Sequence, residues 1–411
     1  MQQTSSRDAR DGCEAMRGSR WAFYGVCVRG TASSMYDYAD FAERLCGAKT
    51  VAIICGFSAD ASYATSIARF RARFPVVLEP KHVKRALIDS NFSFHKALED
   101  VSATHFYAQI SGIPLKDRML RPRFDNLPAL LALHFVFDAR LRWGDSFAKI
   151  SHGVRGRTPI VGHIAKPLPK VQGNLREALR IPAGATVFCS YGGGFTFDLL
   201  FVRRTVCELA RSSELANRTS FQQPLWFLFA NHVRFCDSTA HPRAIFLPNR
   251  RNETEKAMFV NTCDAMLHAR ASGETFGLAV AEFSLANKPV FVWRPHNDVM
   301  HAPVPKHLVA CSDHEAAGCG GVRTDTHLVS LGSKGLQYSE ETLATMLQSF
   351  DRVGAAHRDW RGYADYSAAK VMRNFSRYLF TTTKATKSKN KRVRQRGDAQ
   401  TPPPPPPLMS S

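Results

Sequence analysis

Acid is scarce in this chain. Its 411 residues hold 35 Asp and Glu against 55 Lys and Arg, a formal net charge of +20. A surface of that sign favours anionic partners such as nucleotides, phosphorylated molecules, acidic membranes or nucleic acid, without choosing among them. No apolar run approaches the roughly 18 residues that a membrane span needs. The longest, Ala129 to Phe137, is interrupted by His134 and reads as a buried strand. The ten cysteines form no CxxC pair, which argues against a zinc site or a disulfide framework and for a reducing compartment, hence a cytoplasmic protein. There is no GxGxxG fingerprint, no Walker loop and no Asp-x-Asp pair. Met1 to Arg20 lacks the apolar core of a secretory signal, and Asp8, Asp11 and Glu14 weaken a transit peptide, so residues 1–20 read as a disordered leader.

What is present is a repeated strand–helix alternation. Trp21–Val28, Lys49–Cys55, Val76–Leu78, His105–Gln109, Ala129–Phe137 and Pro159–Ala165 read as strands. Ser34–Leu45, Tyr63–Phe74 and His82–Asp89 read as helices between the earlier ones. Lys166-Pro167-Leu168-Pro169-Lys170 is a stiff linker. A second series follows, with strands at Thr186–Tyr191, Pro224–Ala230, His241–Leu247, Ala265–Ala269 and Pro289–Trp293, and helices at Phe197–Arg211, Asn252–Asn261 and Thr275–Ala286. Alternation of this kind predicts doubly wound parallel sheets. The segment Arg294–Thr326 is a loop excursion, and its His296, Asp298 and His301 lack the spacing of a metal site. Amphipathic helices are expected at Ser339–Phe350 and Ser367–Leu379. Residues 381–411 carry seven Lys and Arg against one Asp, then six prolines. They form a disordered tail suited to an anionic membrane or an SH3- or WW-type module, and the solvated reading is the simplest. Specific nucleic-acid binding lacks aromatic residues interleaved with the charge.

The chemistry concentrates at Asp264 to Val292. An apolar strand runs into the turn Arg270-Ala271-Ser272-Gly273, with Glu274 at its end and Glu282 eight residues later. Eight residues are about 2.2 helical turns, so the two carboxylates are offset by about 80° and can meet opposite ends of a long ligand. Helix N–H groups between them attract anions. Taken alone, each glutamate is equally a dipole-complementing or solvated residue. Three glycines, Gly192 to Gly194, follow a strand and allow close backbone approach to a ligand.

Glu-Thr-Phe-Gly-Leu with a second Glu after seven intervening residues, led in by Asp-Ala-Met-Leu-His-Ala-Arg, resembles the E-x7-E signature of family 4 (group 1) retaining GT-B glycosyltransferases. Arg29-Gly30-Thr31 with Tyr36-Asp37-Tyr38-Ala39, His134 to Asp138, Trp143-Gly144-Asp145 and Val161 to Ile164 resemble a branch of the same family. The resemblance implies two Rossmann-like domains facing a cleft: residues 21–165 on the acceptor side, 166–355 on the donor side, and a final helix in 356–380 crossing back. It implies a hexosyltransferase that takes a nucleotide-diphosphate sugar as co-substrate, needs no cofactor or metal, retains configuration and acts on an unknown acceptor. Glu274 would orient the donor sugar, Glu282 the ribose, and Thr275, Phe276, Gly277 and Leu278 with Gly192 and Gly193 the diphosphate. His134 and His163 are either core histidines or the N-terminal domain's group beside the reacting sugar. The family places an arginine where this chain has Ser190, so Arg203, Arg204 or Arg270 would have to substitute, and Arg29 is placed to face a phosphate. Trp143 stands where relatives carry a histidine. These departures leave open a degenerate GT-B protein that binds a nucleotide-sugar without turning it over, or a protein that acts through its basic tail.

Overall fold

A computed structural model describes residues 12–56, 58–60, 62–79, 92–118, 120–211, 224–248, 252–271, 273–293 and 335–380. Outside them fall the first eleven residues, the helix expected at His82–Asp89, the excursion with His296, Asp298 and His301, and the basic and polyproline tail.

Two six-stranded parallel sheets carry the chain. The first contains β1 (Arg20–Val26), β2 (Lys49–Gly56), β3 (Val77–Leu78), β4 (His105–Ile110), β5 (Leu130–Phe135) and β6 (Ser146–Lys149), in the order β3-β2-β1-β4-β5-β6. The second contains β7 (Thr186–Tyr191), β8 (Leu225–Ala230), β9 (Ala244–Leu247), β10 (Ala265–His268), β11 (Val290–Trp293) and β12 (Gly335–Tyr338), in the order β12-β11-β10-β7-β8-β9. The two orders are the same doubly wound pattern. Each reverses between its first and fourth strands, and ligands of open α/β sheets bind at the carboxyl ends of the strands there. The crossovers include α1 (Arg29–Cys46), α2 (Ser62–Arg71), α3 (Phe94–Asp100), the single turn α4 (Pro114–Asp117), α5 (Leu200–Arg211), α6 (Glu253–Thr262) and α7 (Leu278–Leu285). Short α8 (Leu343–Gln348) and α9 (Arg352–Ala356) lead to α10 (Ala368–Phe375).

The strands are apolar on both faces because both faces are covered. Along β1, Trp21 and Phe23 point into one core cluster and Ala22 and Tyr24 into another. The first cluster is closed by Val371, Met372 and Phe375 of α10, which returns to the N-terminal sheet, and Ser146 Oγ donates to Leu379 O at 2.7 Å. The second cluster continues through Ala165 and Ile181 to Val187, Leu228 and Phe259, joining the two sheets by apolar packing.

Several expectations are corrected. Pro159–Ala165 is not a strand: it makes one isolated bridge, from Ile160 to Lys149. Side chains satisfy its backbone instead, Tyr38 Oη donating to Gly162 O at 2.8 Å and His134 Nε2 bonding Val161 O at 2.8 Å. The sheet's last strand is β6, which the sequence pattern had not revealed. Residues 12–20 are not a disordered leader, since Met16 is fully buried and Cys13 is covalently tied to Cys46.

The cysteines give the largest correction. Eight of them pair as Cys13–Cys46, Cys27–Cys55, Cys189–Cys263 and Cys207–Cys236, with Cα separations of 5.1 to 5.8 Å. Partners lie 28 to 74 residues apart because neighbouring parallel strands and their crossover helices bring them together, so no local spacing announces them. Disulfides persist in oxidising environments, and the expectation of a reducing compartment loses the ground it stood on. Among the described residues no helix is long and apolar enough to cross a membrane.

Candidate active site

The carboxyl ends of both sheets open on one cleft of about 1930 Å³ between the domains. Three chain reversals form its centre: the end of β1 with Arg29, the glycine loop after β7, and the turn from β10 into α7.

Gly277, with a left-handed φ of 73°, caps α7, so the helix starts at Leu278 and not at Thr275. Ala281 makes the first bond of the helix, to Gly277 O at 2.9 Å. The N–H groups of Leu278, Ala279 and Val280 are therefore left for a ligand. Opposite them α1 begins. Leu278 Cδ1 lies 3.6 Å from where a side chain on Gly30 would start, so two helix N-termini face each other across the cleft. Both favour negative charge between them.

Arg29 stands at this meeting point. Its φ of 46° is left-handed, which costs a non-glycine residue about 1 kcal/mol and needs support. Ser62 Oγ accepts its backbone N–H at 3.2 Å, and Asp60 accepts its Nε–H at 2.7 Å. Hydrogen bonds from Ser62, then Arg29, hold the Asp60 carboxyl down at about 2. The guanidinium reaches the other domain: a Cβ on Gly193 would sit 3.2 Å from Arg29 Nη1. Only glycine leaves that approach open.

The two glutamates flank the helix start and differ in electrostatics. Glu274 accepts from Arg270 Nη1 at 2.8 Å, with His268 Nε2 3.8 Å away. Burial opposes its ionisation, but His268 and Arg270 outweigh burial and keep its pKa below the ordinary value. Glu282 accepts from Lys256 Nζ at 2.7 Å. Burial pushes its carboxyl up, Lys166 pulls the other way and Asp37 adds to the rise. Burial likewise pushes Lys256 down. Lys166, in the linker, is itself held by Asp37 of α1 at 2.7 Å. Lys256, Lys166 and Asp37 all line the cleft, and the sequence reading had not assigned them a role in it.

His163 also lines the cleft. Tyr38 Oη bonds its Nδ1 at 3.2 Å and its ring packs edge-on to Phe276 at 5.1 Å. Burial, then His134, lowers its pKa to about 3, so it is a neutral hydrogen-bonding imidazole near pH 7.

His134 does not reach the cleft. It is fully buried, bonded through Nδ1 to Tyr107 Oη and through Nε2 to Val161 O, both at 2.8 Å. Both ring nitrogens are spent on the fold, and the expectation of a reactive role is corrected. Arg203 is turned away as well, donating to Phe197 O at 2.6 Å and lying over Phe235. Arg204 pairs with Glu340 at 3.8 Å on the surface. Ser190 is buried and bonds His232 at 3.2 Å. Trp143 packs on Phe124 at the edge of the core and does not line the cleft. Thr275, Phe276, Gly277, Leu278, Gly192, Gly193 and Arg270 all line the cleft. Phe276 is the most buried of these, and Tyr363 Oη donates to its carbonyl at 2.6 Å. Among the described residues no group of three or more His, Cys, Asp or Glu side chains could hold a metal ion.

No family model and no curated protein matches the sequence. Solved structures do. The Anabaena protein HepE in complex with UDP-glucose superimposes with a TM-score of 0.52 at 11% identity, over 93% of this chain and 100% of its own. The fold is GT-B. A glycosyltransferase from Rickettsia africae ESF-5 gives a TM-score of 0.50 at 10% identity, over 92% of this chain and 98% of its own. In GT-B terms, the sheet of β1 to β6 is the N-terminal half of the cleft and the sheet of β7 to β12 the C-terminal half.

Proposed function

We propose that this GT-B protein transfers a hexosyl group from a nucleotide-diphosphate sugar to an acceptor, with retention, in the manner of the family 4 enzymes that its E-x7-E stretch resembles. One observation carries the reading. Glu274 and Glu282 line a single interdomain cleft, and between them lie the free N–H groups of Leu278 to Val280 with the Arg29 guanidinium opposite. That order matches a sugar, a diphosphate and a ribose.

In this reading Glu274, kept ionised, accepts hydrogen bonds from donor-sugar hydroxyls. Glu282 accepts from the ribose, displacing or sharing the Lys256 contact. The α7 N–H groups and Arg29 stabilise the charge that builds on the leaving diphosphate. Arg29 supplies from the opposite domain the cation that the family carries at the position of Ser190, which answers the departure that favoured a degenerate protein. Neutral His163 hydrogen-bonds a hydroxyl near the sugar. The complex of HepE with UDP-glucose makes a UDP-hexose the first donor to try.

The test is thermal stability against UDP-, GDP- and ADP-sugars, followed by hydrolysis of whichever donor binds. A ligand that binds only the native state raises the melting temperature by mass action. One donor that stabilises the protein and is hydrolysed supports the reading. Binding without hydrolysis or transfer would leave a nucleotide-sugar-binding protein, and no shift with any donor would refute the reading.

A further inference from the structure

Resting on the glycosyltransferase reading, the other half of the cleft carries a feature that no donor contact uses. Residues 152–158 form a loop on the N-terminal side that displays Arg155 and Arg157, both exposed and both lining the cleft. The loop is pinned from below by a buried cation. Lys149, 8% exposed on β6, donates from Nζ to Val154 O and to Gly156 O, each at 2.8 Å. Ala139 N adds a bond to Arg155 O at 2.7 Å. An ammonium spent on two carbonyls is an expensive way to hold a loop, and what it holds is a pair of guanidinium groups.

Neither guanidinium makes a hydrogen bond or ion pair among the described residues. Arg155 acts on Asp138 only through its field, and Arg140 already holds Asp138 at 2.6 Å. The carboxylates that line the cleft on the C-terminal side, Glu253, Glu274 and Glu282, have cations of their own, so the positive charge on this loop is left unmatched. Thr158 Oγ1, at the loop's end and also on the cleft, is buried with no hydrogen-bond partner. Phe137, 47% exposed, lies on the same domain's wall. Two free guanidinium groups on a braced loop form a site for a tetrahedral dianion, which accepts paired charge-assisted hydrogen bonds.

We propose that residues 152–158 form an acceptor subsite that binds a phosphate group, so that the acceptor is a phosphorylated molecule. The phosphate belongs either to a small sugar phosphate or to a lipid headgroup.

The test uses the full chain and inorganic phosphate as the probe, by calorimetry, on wild type, Arg29→Gln and the double variant Arg155→Gln/Arg157→Gln. Phosphate binding that survives Arg29→Gln and weakens about tenfold or more in the double variant is expected, as for the loss of hydrogen bonds to a charged group. Phosphate that fails to bind, or that binds the double variant unchanged, overturns the subsite. A hexose 6-phosphate that binds tighter than inorganic phosphate assigns the group to a soluble acceptor. Phosphatidylcholine vesicles containing phosphatidic acid, whose headgroup is a phosphomonoester, that retain wild type better than the double variant assign it to a lipid. If neither holds, the acceptor role falls even if phosphate binds. The donor reading is decided separately, by the nucleotide-sugar melting shift of the wild type, so either can fail alone.

Discussion

Arg29 of the N-terminal domain lies against Gly193 of the C-terminal domain, its Nη1 3.2 Å from where a side chain on that glycine would begin. The contact places an N-terminal cation at the glycine loop, where the proposed function has both halves of the cleft hold one diphosphate. Replacing Arg29 by Gln should weaken a nucleoside diphosphate about tenfold, the loss of a charge-assisted contact, and leave the matching nucleoside unaffected. Calorimetry with the two ligands reads the difference. An equal loss for both would show a general disturbance and remove Arg29 from the diphosphate site.

Glu282→Ala alone is a poor probe of ribose binding, because it removes the nearer of the two carboxylates of largely buried Lys256 and leaves only Glu253, at 3.2 Å. Removing one partner of a buried pair costs about 3 kcal/mol when the other charge is left alone, and the Glu253 contact keeps the loss below that. The single variant should therefore melt below wild type, and Glu282→Ala/Lys256→Met should recover most of that loss while donor binding stays absent. Chemical denaturation and donor titration of the two variants separate the roles. Donor binding that returns with stability would show Glu282 to be structural.

Buried histidines, His134 and His163 among them, set an acid limit. The ordinary histidine pKa is 6.5, and burial holds His134 at about 4 and His163 at about 3. Between those values and 6.5 the unfolded chain binds protons that the folded chain refuses. Their contribution is thus complete above pH 6.5 and is lost as pH falls, by about 1.4 kcal/mol per pH unit for each histidine. His134→Gln should flatten the fall of melting temperature between pH 6.5 and 4 relative to wild type. A variant with the same slope as wild type would contradict the burial argument.

The four disulfides should survive isolation without reductant, and peptide mapping should recover Cys13–Cys46, Cys27–Cys55, Cys189–Cys263 and Cys207–Cys236. The Cys189–Cys263 bond closes a separation of 74 residues, so replacing both cysteines by Ser should cost about 4 kcal/mol on the loop-entropy account. Free thiols at these eight positions in protein purified under oxidising conditions would overturn the pairing.

Much of the fold was legible in the sequence. Strands such as Thr186–Tyr191 and Lys49–Cys55 are continuous apolar runs because sheets covered on both faces require them. Glu274 and Glu282 could be picked out because their spacing belongs to one chain reversal and its helix. Elsewhere local pattern misled. Pro159–Ala165 is apolar enough for a strand, yet Tyr38 and His134 from other elements take up its backbone groups. His134 and His163 look alike in sequence and differ only in which neighbours enclose them.

What the sequence determined by itself is what depends on near neighbours: the alternation of strand and helix, the turn at Arg270 to Gly277, and the excess of positive charge. Tertiary structure alone decided what depends on residues far apart. It paired Cys189 with Cys263, set Lys256 against Glu282, carried Arg29 to Gly193, and left Arg155 and Arg157 without acids. The reason is physical. Periodicity and turn chemistry act over a few residues along the chain, whereas a disulfide, an ion pair or a free charge depends on which strands lie side by side and which domains face each other.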